Sequence, residues 1–553
     1  MEGLTIFDYK FDDQSLFYSR RIGHAPSLIP ETNDSTFVKS PDKTTILSAL
    51  KFSGTTSNGL SVGIIQSLTA EEKAQVSNPE GDITSKQVEP LTSYTVARIQ
   101  KGYNAGNTFL GGMITSVRRF IDDTDLEFLS KNAFTGGLDV LHYWHGKEFY
   151  IDARLIGSNI NGSPEAITAL QESSVRYYQR PDAGYLGYDT TLTMLRGFGG
   201  KFKIGRLSRE HWKYSTSLTV LSPGLELNDL GYMIFADEIK NDNIISYQIT
   251  KPVSVFHSYN IDFNQFNTWN FNGTYLGSGA KLSFYSEFKN NWFFSNDLVY
   301  LTGATDTRFL RGGPQMILPF TITESGHLST DQSKKVIFNL NYGYQGRGNN
   351  SGTYYSFEPG ISVRPFQVLR IGFSASIIKN HDLLQYITTL DYNSSDRYIF
   401  GTIDQNTVGL TFRADLNITP EFSIQYYGSP FVSRGSYSEF KYIVEPEAKE
   451  FDDRYRIYEN VQMVDGQYML DENGDMTADY SIDNPDFNFH QFRSNLVAKW
   501  EYRLGSFIYL VWSSDRTGNT SSSQASYGES LNQLFDIYPD NMFLVKLSYW
   551  FTL

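Results

Sequence analysis

The sequence predicts an all-β fold: a transmembrane antiparallel β-barrel of about 22 strands (roughly 20–24), with long extracellular loops and short periplasmic turns. Three observations carry that expectation. The 553 residues include 40 Phe, 37 Tyr and 7 Trp, an aromatic share of 15%. Mean hydropathy is nonetheless −0.35, and no stretch approaches the ~18 apolar residues of a membrane helix. Apolar and polar residues alternate with period two from about Thr44 to the end. A wall that meets lipid with only every second residue combines these three properties. A soluble sandwich also alternates, but its strands are shorter and its connections lack the short–long rhythm seen here.

The elements follow in order. No linker composition divides the chain, so 1–553 reads as a single outer-membrane β-barrel domain. Residues 1–43 are the N-terminal segment and first strand, with that strand placed around "SLFYSRRIG". "SPEAITALQESSVRYY" is the one short helix, inside an outer loop. Ser163 is its N-cap, Pro164 opens the first turn, Glu165 suits the dipole, and Ala166, Leu170 and Val175 are roughly helix-spaced. Clean strands follow. "VIFNLNYGYQ" sets Val336, Phe338, Leu340, Tyr342 and Tyr344 against Asn339, Asn341 and Gln345. "LRIGFSASI" sets Leu369, Ile371, Phe373, Ala375 and Ile377 against Arg370, Ser374 and Ser376. "FRSNLVAKWEYRL" places Phe492, Leu496, Ala498, Trp500 and Tyr502 opposite the lumen-facing set Arg493, Lys499, Glu501 and Arg503. A one-residue slip would put those charges in lipid, at roughly 2–4 kcal/mol each near the midplane. "ITPEF" and "LGS" are short turns, whereas 429–488 is a long acidic extracellular loop and 515–540 a second long one. The chain closes on Phe543, Val545, Leu547, Tyr549, Phe551 and Leu553, a lipid-facing set. A barrel must pair its last strand with its first, so Leu553 is expected to pair within the first fifty residues. Trp212, Trp269, Trp292, Trp500, Trp512 and Trp550 suit aromatic girdles at strand ends.

Several functions are excluded or disfavoured. The chain has no cysteine, which removes disulfides and thiolate metal sites. A net charge of −14 argues against nucleic acid as partner. "GFGGKFKIG" follows no βαβ pattern, and GxSxG and HExxH are absent. His142 and His145, three apart in one expected strand, point to opposite faces. "DENGD" resembles the start of a calcium loop, with Asp471, Asn473 and Asp475 as oxygen ligands, but Ile482 stands where the bidentate acid belongs. Calcium is the one cofactor considered, and a solvated turn is the plainer reading. The stretch 440–490 carries 13 acidic and 4 basic residues, so a self-repelling solvated loop is expected. Its sharper reading is a cation-rich or lipopolysaccharide contact zone. Met1-Glu2-Gly3 shows no signal-peptide pattern, so this numbering is expected to start inside a longer precursor.

Four stretches together carry a resemblance: "LFYSRRIG", "SSVRYYQRPDA", "SPGLELNDLGY" and "FLRGGP". In this order and spacing they resemble the β-barrel domain of unknown function of Bacteroidota outer-membrane proteins. There the barrel usually follows a domain like carbohydrate-binding module family 9, which this sequence lacks. The resemblance implies a bacterial outer-membrane location and supplies no reaction.

The motif residues Arg20, Arg21, Arg176, Arg180, Glu226, Asp229 and Arg311 are candidates for Arg–carboxylate locks between outer loops or for ligand contact. Gly312 and Gly313 offer torsions only glycine takes freely. A channel, transport or docking protein for a hydrophilic, glycan- or peptide-derived ligand leads. A structural subunit of a larger outer-membrane complex is the alternative. A hydrolase ranks third, because no nucleophile–base pair is visible. Expected partners are outer-membrane lipid and lipopolysaccharide, then other outer-membrane proteins or surface lipoproteins.

Overall fold

Where the sequence alternates the backbone is extended, because β-branched and aromatic side chains fit a pleated surface with one uniform face. The computed structural model of the protein describes residues 5–31, 36–78, 81–121, 124–207, 210–520 and 526–550. Backbone proximity groups the chain into two compact units. One comprises Met1–Ser246, Asn264–Ser278 and Thr305–Met316, the other Tyr247–Phe263, Gly279–Ala304 and Ile317–Leu553.

In the first unit eight strands form an antiparallel meander: Ile46–Thr55, Leu60–Thr69, Leu91–Tyr103, Thr108–Phe120, Asn132–Trp144, Phe149–Asn161, Met194–Arg206 and Trp212–Leu221. Register sorts their side chains. Ile99 lies opposite Gly112 and Gly112 opposite Leu138. That face is open, with Leu138 65% and Leu155 67% exposed. Tyr94, Val96, Met113 and Val117 on the other face are buried.

In the second unit the antiparallel order is Phe293–Leu301, Thr321–Ser329, Val336–Arg347, Gly352–Phe366, Leu369–Tyr392, Ser395–Asn417, Phe422–Ile443, Phe487–Arg503, Ser506–Thr520 and Asp540–Ser548. The last three strands stack apolar rows on one face: Leu496–Trp512–Phe543, Ala498–Leu510–Val545 and Trp500–Ile508–Leu547. Between them run Asn495–Ser513–Met542 and Lys499–Tyr509–Lys546 on the other. Phe551 and Leu553 lie outside the described residues. Connections alternate in length: 104–107, 145–148, 367–368, 418–421 and 504–505 are short, while 162–193, 222–237, 444–486 and 521–539 are long.

The structure corrects five expectations. The first long strand is Ile46–Thr55, and "SLFYSRRIG" is not a wall strand. Apolar Leu16 there is wholly buried among side chains from several segments instead of joining a ladder. The described residues contain two α-helices, not one. The first, α1 (Pro164–Glu172), starts as expected, with Ser163 Oγ accepting from Ala166 N at 3.0 Å, but ends before Val175. The second, α2 (Tyr527–Asp536), has a complete capping box from Ser526 and Glu529. Trp512 lies inside its strand, not at an end. His145 lies in the turn after Asn132–Trp144, with φ +51°. Finally, the expected acidic loop is folded. The strand Phe422–Ile443 runs into it, and Glu459–Val464, Gln467–Asp471 and Tyr480–Asp483 form a small sheet. Ile399, Phe440, Tyr458, Leu470 and Ile482 bury one core there, and Glu472 is held by Arg397 at 2.8 Å. Apolar burial and paired charges outweigh the repulsion that composition alone suggested.

Candidate functional site

The four sequence motifs, scattered over three hundred residues, meet in the first unit. They lie in the N-terminal segment, in the connections 162–193 and 222–237, and in 305–316. Glycine makes the approach possible. A Cβ on Gly197, in the strand Met194–Arg206, would stand 2.0 Å from Leu225 N, and one on Gly224 would stand 2.1 Å from Arg196 O. Connection 222–237 thus lies directly against a strand backbone. The N-terminal segment pairs with its far side: Ser15 N donates to Tyr232 O at 3.0 Å, and Tyr18 N to Leu230 O at 2.8 Å. Phe7, Tyr9, Leu16, Leu225, Leu227 and Leu230 fill one core with the buried strand face.

Charge locks this core. Arg176 and Glu226 pair at 2.7 Å with 0% and 2% of their side chains exposed. Arg176 also donates to Pro223 O, Leu170 O, Ser173 Oγ and Leu225 O, while Glu226 accepts from Asn228 N at 2.6 Å. Asp229 takes Arg119 at 2.5 Å and the Ser130 hydroxyl at 2.7 Å. Arg21 donates to Gly231 O and Asn228 Oδ1. Arg180 reaches Thr307 O at 2.9 Å, tying 162–193 to the "FLRGGP" stretch. In that stretch Gly312 has φ +109° and a Cβ there would meet Gln179 Nε2 at 2.7 Å. Gly313 is buried, whereas Arg311 and Arg20 are exposed. Arg21, Arg176, Glu226 and Asp229 therefore come together, Arg180 instead joins Asp182 and the backbone at Thr307, and Arg20 and Arg311 are exposed.

Arg119, Ser130 and Asn228 were not singled out by sequence. Arg119 follows Arg118 in an alternating strand, so one of the two must lie on the buried face. That placement was the available signal. Below this cluster Arg98 pairs with Asp139, Tyr9 Oη donates to Leu138 O at 2.7 Å, and Asp12 takes Lys201 and the Thr219 hydroxyl. In the connections, burial pushes the Tyr178 hydroxyl up to about 12. Burial also raises the Asp237 carboxyl, which accepts from Tyr185 Oη and from Phe271 N at 3.0 Å.

A cavity of about 540 Å3 opens at the cluster. Arg21, Arg119, Ser130, Glu226, Asn228 and Asp229 give it a polar wall, and Leu170 and Met233 an apolar one. No histidine lines it, and Asp229 is committed to Arg119. Guanidinium, carboxylate, amide and hydroxyl groups converging on one cavity suit hydrogen-bonded clasping.

The other candidate residues lie in the second unit. Arg493 pairs with Asp515 at 2.7 Å, Lys499 stands 4.4 Å over the Phe507 ring, and Arg503 donates to Tyr549 Oη. Glu501 accepts from Gly505 N at 2.7 Å. In the "DENGD" turn Asp471 accepts from Gly474 N and Met476 N, Asn473 from Asp475 N, and Asp475 from Thr477 N. Those oxygens turn into their own backbone.

No curated protein matches the sequence. Among solved structures, the FrpB iron transporter from Neisseria meningitidis (F5-1 variant) is similar at 11% identity and a TM-score of 0.39, over 87% of this chain and 78% of that one. The ferric enterobactin receptor from Pseudomonas aeruginosa, in complex with enterobactin, is similar at 8% identity and 0.37, over 83% and 76%. A siderophore receptor from Acinetobacter baumannii is similar at 8% and 0.34, over 80% and 81%. The family model described as a domain of unknown function (DUF5916) matches residues 1–552, and the chain belongs to that family.

Proposed function

We propose that the protein is an outer-membrane β-barrel of about 22 strands that docks or transports a hydrophilic, glycan- or peptide-derived ligand. The observation that carries the reading is the set of open apolar rows. Val545 and Leu547 are 71% and 67% exposed, and Leu510 beside them 52%. In water each such side chain would forgo up to about 1.5–3 kcal/mol of burial; in a bilayer it costs nothing. The rhythm of short and long connections supports the same reading. The ligand reading rests on the 540 Å3 cavity, whose convergent polar groups suit hydroxyl or amide recognition. Bacteroidota origin, and an upstream domain like carbohydrate-binding module family 9, belong to the same proposal. A structural-subunit reading is favoured by one feature, the folded outer sheet with Met463, Val464 and Met476 open for a partner.

Planar-bilayer recording tests the transport reading. The whole chain is expected to conduct weakly, and Arg176→Met to raise the current. Silence from both, with a partner co-purifying from native extract, would replace transport by the structural reading.

A further inference from the structure

We propose that α2 and the residues just after it are a membrane-interface anchor that lays Phe535 and Tyr538 into the boundary of the outer lipid leaflet. The inference rests on the barrel reading above. The helix packs on the face that carries the apolar rows. Ser530 Oγ hydrogen-bonds Asn488, and Arg516 Nη1 donates to Leu534 O, Phe535 O and Ile537 O at 3.0–3.3 Å. Asn488, opposite Thr520, and Arg516, opposite Phe492, share the pleat parity of Leu496 and Trp512. The helix thus caps the end of that face farthest from the short turn 504–505.

Its hold on the strands is specific. A Cβ on Gly518 would stand 2.7 Å from Ile537 Cδ1, and Leu534 is 1% exposed. The Ser526–Glu529 box satisfies the N-terminal N–H groups, and Arg516 complements the C-terminal carbonyls and dipole. Leu534 supplies the apolar contact with the wall. Phe535, 70% exposed with its ring 5.8 Å from the Arg516 guanidinium, and Tyr538, 91% exposed, are left over at the end of the strand face that continues through Trp512 to Leu510. Glu529 and Asp536 remain in water. A short amphipathic helix with aromatics at one margin of an apolar surface is the pattern of an interfacial element. Lipid, not a protein, is the occupant that this continuity selects.

The chain has no cysteine, so single labels can be placed cleanly. Phe535→Cys, Tyr538→Cys, Leu510→Cys and Asn473→Cys would each carry a nitroxide in phosphatidylethanolamine–phosphatidylglycerol vesicles. Accessibility to oxygen and to Ni-EDDA reads depth. Labels at 535 and 538 are expected to be several-fold less open to Ni-EDDA than 473, and shallower than 510. If 535 and 538 match 473 while 510 reads as lipid, the anchor is overturned and the barrel reading stands. If 510 also reads as water, the barrel reading falls and the anchor falls with it.

Discussion

Replacing Arg176 by Met should open connection 222–237 while the strands around it stay paired. The substitution removes all five hydrogen bonds of the guanidinium. It strands Glu226, 2% exposed, with the Asn228 N–H still donating to it but no cation. Removing one partner of a buried pair costs about 3–5 kcal/mol. At 1.4 kcal/mol per decade, that corresponds to roughly two to three and a half powers of ten in the local opening equilibrium. Hydrogen exchange by mass spectrometry reads it directly at Leu225 N and Gly231 N, which are bonded to Ser222 O and Leu227 O. Adding Glu226→Gln removes the stranded charge and should recover about one power of ten or more. Exchange within tenfold of the parent in Arg176→Met would refute the clasp. An equal rise in strands Leu91–Tyr103 and Thr108–Phe120 would show global loosening, which the reasoning also forbids.

Three further outcomes are expected. Burial raises the Asp237 carboxyl, so the folded contact binds its proton more tightly than the unfolded chain does. Its stability is full below the ordinary aspartate value near 3.9 and falls as pH rises through the raised one; exchange around 270–273 should show that slope, and Asp237→Asn should abolish it. Leu510→Arg should cost about 2–4 kcal/mol in a denaturant titration of the vesicle-inserted protein, whereas Ser513→Arg, on the face of Asn495, should cost under about 1 kcal/mol; equal costs would contradict the assignment of faces. Gly197→Ala should displace Leu225 and cost about 1–3 kcal/mol, while Gly54→Ala, with nothing near its Cβ, should be neutral by the same titration.

Much of this was legible because period two is a strong code. The rows Leu496–Trp512–Phe543 and Lys499–Tyr509–Lys546 can be read from three strings of text once pairing is assumed. The helix at Ser163-Pro164 announced itself by its cap. The Ser526–Glu529 box carries an equal signal, masked by the polar, serine-rich text before it. Residues 16–23 misled because aromatic, alternating text can fill a core as readily as join a sheet. The site was legible only as a list of charged residues. That Arg176 takes Glu226 while Asp229 takes Arg119 depends on which pleat faces inward and which glycines admit a backbone, and spacing does not encode either.

The buried N-terminal segment sets the order of assembly. Ser15 must wait for Tyr232, more than two hundred residues downstream, before its backbone groups are paired. Tyr9 waits for Leu138 and Leu155. The part of this unit made first is therefore satisfied last. Closing contacts of such long sequence separation is slow. Until 222–237 emerges, the core that Phe7 and Leu16 share with the strand face lacks Leu225, Leu227 and Leu230. A chain of this topology needs its leading segment shielded in transit, and truncating the unit between the strands and residue 237 should leave that segment only half covered and sticky.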